Sequence, residues 1–90
     1  MRFEWDEDKS ARNLAKHGVS FAEAATVFGD PLSDTFDDPD HSAAEQRFLI
    51  IGTSEQGRML IVAHTDDSAV VRIISAREPT RRERKSYEAN

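Results

Sequence analysis

Apolar residues recur along this chain in a helical rhythm over its first third and in an extended rhythm over its middle. Arg2–Trp5 alternates, with Phe3 and Trp5 on one side, which predicts a short first strand. Asp6 stands where it can cap a helix that runs to about His17 and stops at Gly18. On that helix Ala11, Leu14 and Ala15 form the apolar stripe, while Lys9, Asn13 and Lys16 share the opposite face with His17 at its edge. Ser20 and Glu23 form a Ser-x-x-Glu capping box that opens a second helix. Its buried face is Phe21, Ala24, Ala25 and Phe28, and Gly29, Asp30 and Pro31 end it. Two helices joined by only a glycine turn pack as a compact pair and need a common surface to cover.

The extended rhythm supplies that surface. Leu32–Phe36 predicts a short strand, followed by the acidic loop DDPDHSAAE. Arg47–Thr53, Met59–Thr65 and Ala69–Ala76 are rich in Ile, Val and Leu and predict three further strands. The connections around Ser54–Gly57 and Thr65–Ser68 are short enough for antiparallel hairpins. The runs FLII and VVRIIS are almost continuously apolar, as in strands covered on both faces. Pro79, with Thr80 and Glu83 as a second capping box, opens a closing helix. The order predicts one α+β domain over residues 1–90: two N-terminal helices and a C-terminal helix packed on a mainly antiparallel sheet.

Composition narrows the class. Ninety residues with 38% hydrophobic and 32% charged side chains suit one small soluble domain. The absence of cysteine excludes disulfides and thiolate metal sites. The sequence has neither a secretory apolar core at its start nor a run of the roughly 20 apolar residues of a membrane helix, so a cytoplasmic protein with no membrane contact is expected. The net charge of −5 is unevenly spread. Residues 1–46 hold eleven carboxylates against four Lys or Arg, and residues 72–90 hold six cations against three carboxylates. A net acidic protein has no long-range attraction for nucleic acid, but a local group of arginines still grips phosphates. Arg72, Arg77, Arg81, Arg82, Arg84 and Lys85 form such a group. The competing reading is a solvated helix whose cations complement its C-terminal dipole.

Several chemistries drop out. His17, His41 and His64 share no metal-ligand spacing, and neither HExxH, an EF-hand nor a Gly-rich phosphate loop occurs. Asp37, Asp38 and Asp40 offer a cation site, against the plainer reading of a solvated acidic loop. No serine sits on a nucleophile elbow. What remains is acid–base and electrostatic chemistry without metal or cofactor. RNA cleavage needs little more, because ribose brings its own 2′-hydroxyl nucleophile. The protein has to take that proton, stabilise the charge growing on phosphate and protonate the leaving oxygen. Arg72, Arg77 and Arg47 suit the phosphate, and Glu45, or His17 with Lys16, suits the proton transfers. Lys9, Arg81, Arg82 and Arg84 suit further phosphate contacts. Structural alternatives stand beside these. Arg72 fits equally well as the partner of a carboxylate on a neighbouring strand. Glu83 fits a helix cap, Tyr87 fits packing of the last helix with its hydroxyl in water, and His17 fits a partner of its helix dipole.

The stretches FEWDEDKSARNLAKHGVSFAEAATVFGDP, DDPDHSAAEQRFLIIGTS and VRIISAREPTRRERKSYE resemble BrnT-type toxins of bacterial toxin–antitoxin pairs. The similarity runs from Phe3 to Tyr87 and keeps an order of motifs: WD, K-x3-N-x2-KHG, an acidic loop before E-x-R, then RIISAR followed by E-x3-Y. The resemblance implies a RelE-like fold, ribonuclease activity that arrests growth, and a BrnA-type antitoxin. That antitoxin carries a ribbon-helix-helix domain, through which alone the complex touches its operator DNA. By position, the family's basic and acid–base residues fall on Lys9, Lys16, His17, Glu45, Arg47, Arg72, Arg77, Glu83 and Tyr87.

One departure bears on activity. Thr65-Asp66-Asp67 stands in the hairpin where the family often has Thr-Glu-Arg, and two carboxylates beside a phosphate path weaken RNA binding. Glu78 and Pro79 also stand where Lys or Arg and Ala are common. The leading expectation is a metal-independent endoribonuclease toxin neutralised by its antitoxin. The alternative is a catalytically silent module that binds the antitoxin and modulates operon repression. A stand-alone nucleic-acid-binding domain fits less well with the charge of −5 and the lack of a base-stacking aromatic motif.

Overall fold

The chain runs as β1 (Arg2–Glu4), α1 (Glu7–His17), α2 (Phe21–Thr26), a 3-10 turn (Val27–Gly29), β2 (Asp34–Asp37), β3 (Phe48–Thr53), β4 (Met59–Asp67), β5 (Val70–Arg77) and α3 (Arg81–Glu88). The structure is a computed structural model and describes residues 1–38 and 45–88. Its strands form one five-stranded sheet in the order β1-β5-β4-β3-β2. From β2 to β5 the sheet is the expected antiparallel meander. β1 joins the far side parallel to β5, with Phe3 opposite Val71, so the sheet is mixed.

The two faces of this sheet differ. Ile50, Leu60, Val62, Ile73 and Ala76 alternate onto one face, where Val19, Phe21, Ala24 and Val27 cover them. The 3-10 turn presses directly on β3: a Cβ added at Gly52 would lie 2.9 Å from Ser33 Cβ and 3.1 Å from Val27 Cγ1. The other face carries Leu49, Ile51, Ile61, Ala63, Arg72 and Arg77. Here the expectation that FLII and VVRIIS are covered on both faces holds only in part: Ile51 is buried on this side too, beside Ile61. Arg72 and Ser75 are exposed and Leu49 and Ile74 are half-buried, because α3 alone among the described elements lies over this side.

Boundaries shift for local reasons. β4 runs past Thr65, so Asp66 and Asp67 belong to the ladder, opposite Val71 and Val70, and Ser68 makes the turn with a φ of 56°. β2 starts at Asp34 and leaves Leu32 exposed. The second helix tightens into the 3-10 turn at Val27, and Arg77 is the last residue of β5 instead of lying past its end.

The first helix docks by its polar face. Ala11, Leu14 and Ala15, the expected apolar stripe, are exposed, and Asn13 is the buried residue of α1. The cause is the edge of β5. β1 pairs with β5 only as far as Arg72, so Ala76, paired with Val62 of β4 on one side, has no strand on the other. Asn13 takes the place of one. Its Nδ2 donates to Ala76 O and Val19 O, both at 2.8 Å, and its Oδ1 accepts from Ala76 N at 3.2 Å. Satisfying these buried backbone groups outweighs burying two alanines and a leucine, since each group left unpaired costs about 1–3 kcal/mol.

A second polar anchor ties the β3–β4 turn to the helices. Glu23 is 5% exposed and accepts from Arg58 Nε at 2.8 Å, Arg58 Nη2 at 2.6 Å and Ser54 Oγ at 2.8 Å. Arg58 also donates to Gly18 O at 2.6 Å, where Gly18 closes α1 in the left-handed conformation (φ 72°) that favours glycine. Ser20 Oγ accepts from Glu23 N as a capping box requires, but the Glu23 carboxylate goes to Arg58 instead of reaching back.

The Arg58 guanidinium holds the Glu23 carboxyl below its ordinary range. Because the folded value lies under the unfolded one, this pair stabilises the protein above the unfolded glutamate value of about 4.3, and that stabilisation is lost as pH falls through the folded value. Arg58→Ala should lower the urea midpoint at neutral pH, because it strands the nearly buried Glu23 carboxylate without its partner. Urea denaturation across pH should show a shallower acid loss for Glu23→Gln than for the parent; equal slopes would exclude Glu23 from the acid response.

Candidate functional site

The open face of the sheet carries Arg47, Arg72 and Arg77, the three arginines that the sequence assigns to phosphate, but it does not gather them at one point. Arg47 precedes Phe48, whose partner His64 precedes Thr65, and Thr65 pairs with Arg72. Arg47 and Arg72 therefore share one row across the sheet, about 10 Å apart at two strand spacings. Arg77 lies further along β5, roughly 15 Å from Arg72 at the rise of an extended chain. The face has two ends.

Around Arg72 the surface dips into a hollow of about 560 Å³ lined by Arg2, Glu4, Glu45, Thr65, Asp67 and Arg72, with Asp66 beside them. Arg72 Nη1 lies 3.9 Å from Glu4 Oε2, so the carboxylate partner on a neighbouring strand exists, supplied by β1. Arg47 Nε lies 4.0 Å from Glu45 Oε1. Both pairs are loose and solvent-screened. Four carboxylates face three guanidinium groups here, those of Arg2, Arg47 and Arg72, which leaves the field negative and of the wrong sign for phosphate.

The far end of β5 is built differently. Arg77 Nη1 and Nη2 donate to the two carboxylate oxygens of Glu83 at 2.8 and 2.9 Å, and Nη1 reaches Glu78 O at 3.2 Å. Glu83 also accepts from Thr80 N at 2.8 Å and donates its own N–H to Thr80 Oγ1 at 3.2 Å. The expected capping box is present, and its carboxylate is shared with Arg77. The Arg77 guanidinium, helped by Thr80, draws the Glu83 carboxyl down to about 2, so at neutral pH Glu83 has no proton to give.

The helix that carries Glu83 is mostly cationic, while the neighbouring Glu78 carboxylate is paired with Arg58 at 3.5 Å. Arg81, Arg82, Arg84 and Lys85 are exposed along α3. Asn13 is fixed at Ala76, and Lys16 and His17 follow it by about one helical turn, so the exposed end of α1 stands at the same end of β5 as Arg77. Lys9 lies one turn back, nearer Trp5. Glu45 is not part of this group; it lies with Arg72.

Tyr87 fastens the end of α3. Its hydroxyl, expected in water, donates to Leu32 O at 2.5 Å. Burial, then the carboxylates of Asp30 and Asp34, push the phenol above its ordinary range. Between α3 and the sheet lies a groove of about 480 Å³ with Leu49, Ile51 and Ile61 as its floor, Phe36 and Tyr87 as aromatic walls and Asp34 at its edge. Phe36 is 47% exposed. The linear pattern scarcely marks this groove; its one trace is Phe36 alternating with aspartates on an exposed strand.

His64 belongs to the core. It sits on the helix-covered face against Phe28 and Phe48, with ring centroids 4.8 and 5.8 Å away, and burial holds its imidazole below the ordinary range. Among the described residues no group of three or more His, Asp and Glu is placed to hold a metal ion, and Asp40 and His41 lie outside the described residues. Among the described residues no helix is long and apolar enough to cross a membrane.

Known proteins share this layout. A family model for the ribonuclease toxin BrnT of type II toxin–antitoxin systems matches residues 5–83. The 1.1 Å crystal structure of the Brucella abortus ribonuclease toxin BrnT superposes with a TM-score of 0.68 at 26% identity, over 90% of this chain and 99% of that one. No curated protein matches the sequence. The matched segment takes in the Asn13 clamp, the Arg47–Arg72 row and the Arg77–Glu83 pair, and by that match the chain belongs to the BrnT family of ribonuclease toxins of type II toxin–antitoxin systems.

Proposed function

We propose that this chain is itself an active, metal-independent endoribonuclease, and that its phosphate centre lies at the Arg77 end of the open face, not around Arg72. The sign of the charge at the two ends carries this reading. Glu4, Glu45, Asp66 and Asp67 outnumber Arg2, Arg47 and Arg72 at the hollow, whereas at the other end Glu78 and Glu83 are outnumbered by Arg77, Arg58 and the Arg81, Arg82, Arg84 and Lys85 of α3. Glu83 and Glu78 O occupy three of the five N–H donors of Arg77, which leaves Nε and one Nη2 proton for a phosphate oxygen. A fork held in place by a carboxylate needs no reorganisation when charge develops. His17 takes the 2′-hydroxyl proton as the new O–P bond forms, and the Lys16 ammonium beside it gives a proton to the leaving 5′-oxygen as the old O–P bond breaks. Arg47, Arg72 and Glu45 stand apart from this centre, in the carboxylate-rich hollow, and Lys9 lies one turn back along α1. Tyr87 and Glu83 hold α3 in place. The same reading carries a RelE-like architecture, action in the cytoplasm and a BrnA-type antitoxin whose ribbon-helix-helix domain makes the contact with DNA.

The carboxylates around Arg72 favour one competing reading, an antitoxin-binding module without catalysis. Expression without the antitoxin separates the two: growth arrest supports the nuclease, and unimpaired growth with intact antitoxin binding supports the module.

Purified protein should cleave single-stranded RNA in excess EDTA and leave a 2′,3′-cyclic phosphate or its hydrolysis product, at a rate that falls steeply with added salt. Activity that appears only with Mg²⁺ overturns the metal-free mechanism.

Arg77→Ala should lower cleavage by about 10² or more, the scale of losing one transition-state donor, while circular dichroism and antitoxin binding are retained. An undiminished rate in the folded variant takes Arg77 out of the site.

Asp67 lies roughly 20 Å along β5 from Arg77, well beyond the Debye length of about 8 Å at physiological salt. Asp67→Arg should therefore leave cleavage nearly unchanged. A marked gain would move the centre to the Arg72 hollow.

A further inference from the structure

The groove under α3 has a chemistry that neither the fold nor the phosphate centre accounts for. Its apolar floor of Leu49, Ile51 and Ile61 is walled by Phe36 and Tyr87, and its volume of about 480 Å³ lies within the roughly 300–1,000 Å³ of small-molecule sites. Asp34 lines it, and among the described residues the Asp34 carboxylate makes no hydrogen bond or ion pair. Glu83 and Tyr87 line it from α3, so the groove adjoins the residue that holds Arg77. At 100° per residue, Arg82 and Arg84 flank the stripe of α3 that faces the groove. One rim is cationic, the opposite edge carries an uncommitted carboxylate, and the walls between are aromatic.

We infer that this groove holds a nucleobase of the RNA and that Asp34 selects guanine. The inference rests on the RNA-cleaving reading above and names the specificity of that site. An unstacked base fills an aromatic slot while cations beside it carry the phosphates, which is how single strands are held elsewhere. The carboxylate then decides which base. It accepts hydrogen bonds and does not donate them. Guanine offers two adjacent donors on its Watson–Crick edge, N1–H and the N2 amino group, and matches both carboxylate oxygens. Adenine and cytosine offer one amino group beside a ring nitrogen acceptor. Uracil offers N3–H between two carbonyls, each of which the carboxylate repels. A basic protein segment is the poorer occupant, because it would meet Arg82 and Arg84 at the rim with like charge.

The test follows the groove directly. GMP, CMP, AMP and UMP are titrated into the full chain with labelled methyl groups, and the signals of Leu49, Ile51 and Ile61 are followed by NMR. GMP should move these methyls with an affinity about tenfold or more above that of UMP, the discrimination of one bidentate base contact. Asp34→Asn, on an exposed strand, should erase that preference, and Phe36→Ala should weaken all four nucleotides. Cleavage of RNA by the same preparation should fall beside guanine. Equal affinities for the four nucleotides, or shifts confined to residues outside the groove, overturn the assignment while RNA cleavage keeps the nuclease reading. GMP seated in the groove of a protein that cleaves no RNA overturns the nuclease reading and leaves the base site standing. Groove methyls that respond to the antitoxin and to no nucleotide make the groove a protein-docking surface and overturn the inference.

Discussion

The side-chain amide of Asn13 decides where everything at the far end of β5 sits. A sheet edge that outruns its neighbour leaves backbone donors and acceptors stranded, and β1 stops pairing at Arg72. Asn13 closes the gap at Ala76 with one donated and one accepted hydrogen bond, and its second donated bond holds Val19. A helix with no buried apolar residue is thereby fixed along the line of a strand. From α1 the restraint passes through Gly18 O to Arg58, and from Arg58 to Glu23 on α2. Two polar clamps in series thus set the helical layer before apolar packing refines it. Neither tolerates loss of one partner, because a buried polar group left unmatched costs more than the matched pair contributes.

That layer covers one face of the sheet, and a chain of 90 residues has little left for the other. The second face is closed only in part by α3, which buries no residue completely. Arg77–Glu83 at one end and Tyr87–Leu32 at the other fasten it. Elements held by a few exposed polar contacts have the lowest local unfolding free energies in a protein. The incomplete layer is also the part that displays an aromatic groove beside a fixed arginine fork.

Charge is divided along the same lines. The net charge of −5 does not describe the surface an RNA strand meets, since carboxylates collect around Arg72 and cations around Arg77. Screening at physiological salt makes the two ends nearly independent. Asp66 and Asp67 at one end therefore leave the field at the other nearly unaltered. The Arg77–Glu83 pair also shows why a cap and a functional contact need not compete: a carboxylate has two oxygens and about four acceptor positions, enough for Thr80 N–H and the guanidinium together.

By itself the sequence determined the elements whose stability is local or periodic. Alternation of apolar residues set β3, β4 and β5, and the Ser20 and Thr80 boxes and Gly18 set helix ends, because capping and strand patterning act over a few residues. The candidate arginines were also legible, since each falls on, or directly before, a strand or helix whose place in the chain the pattern marks. Only the tertiary structure decided what depends on neighbours far along the chain. The burial of Asn13 in place of Leu14 follows from where β1 ends. The commitment of Glu23 to Arg58 follows from how the β3–β4 turn folds back on α2. The separation of Arg72 from Arg77, the carboxylates beside one and the cations beside the other, and the groove between Phe36 and Tyr87 all arise from strand order and register. Periodicity records which residues share a face, but not what lies across from it, and hydrogen-bonding and charge compensation are settled by what lies across.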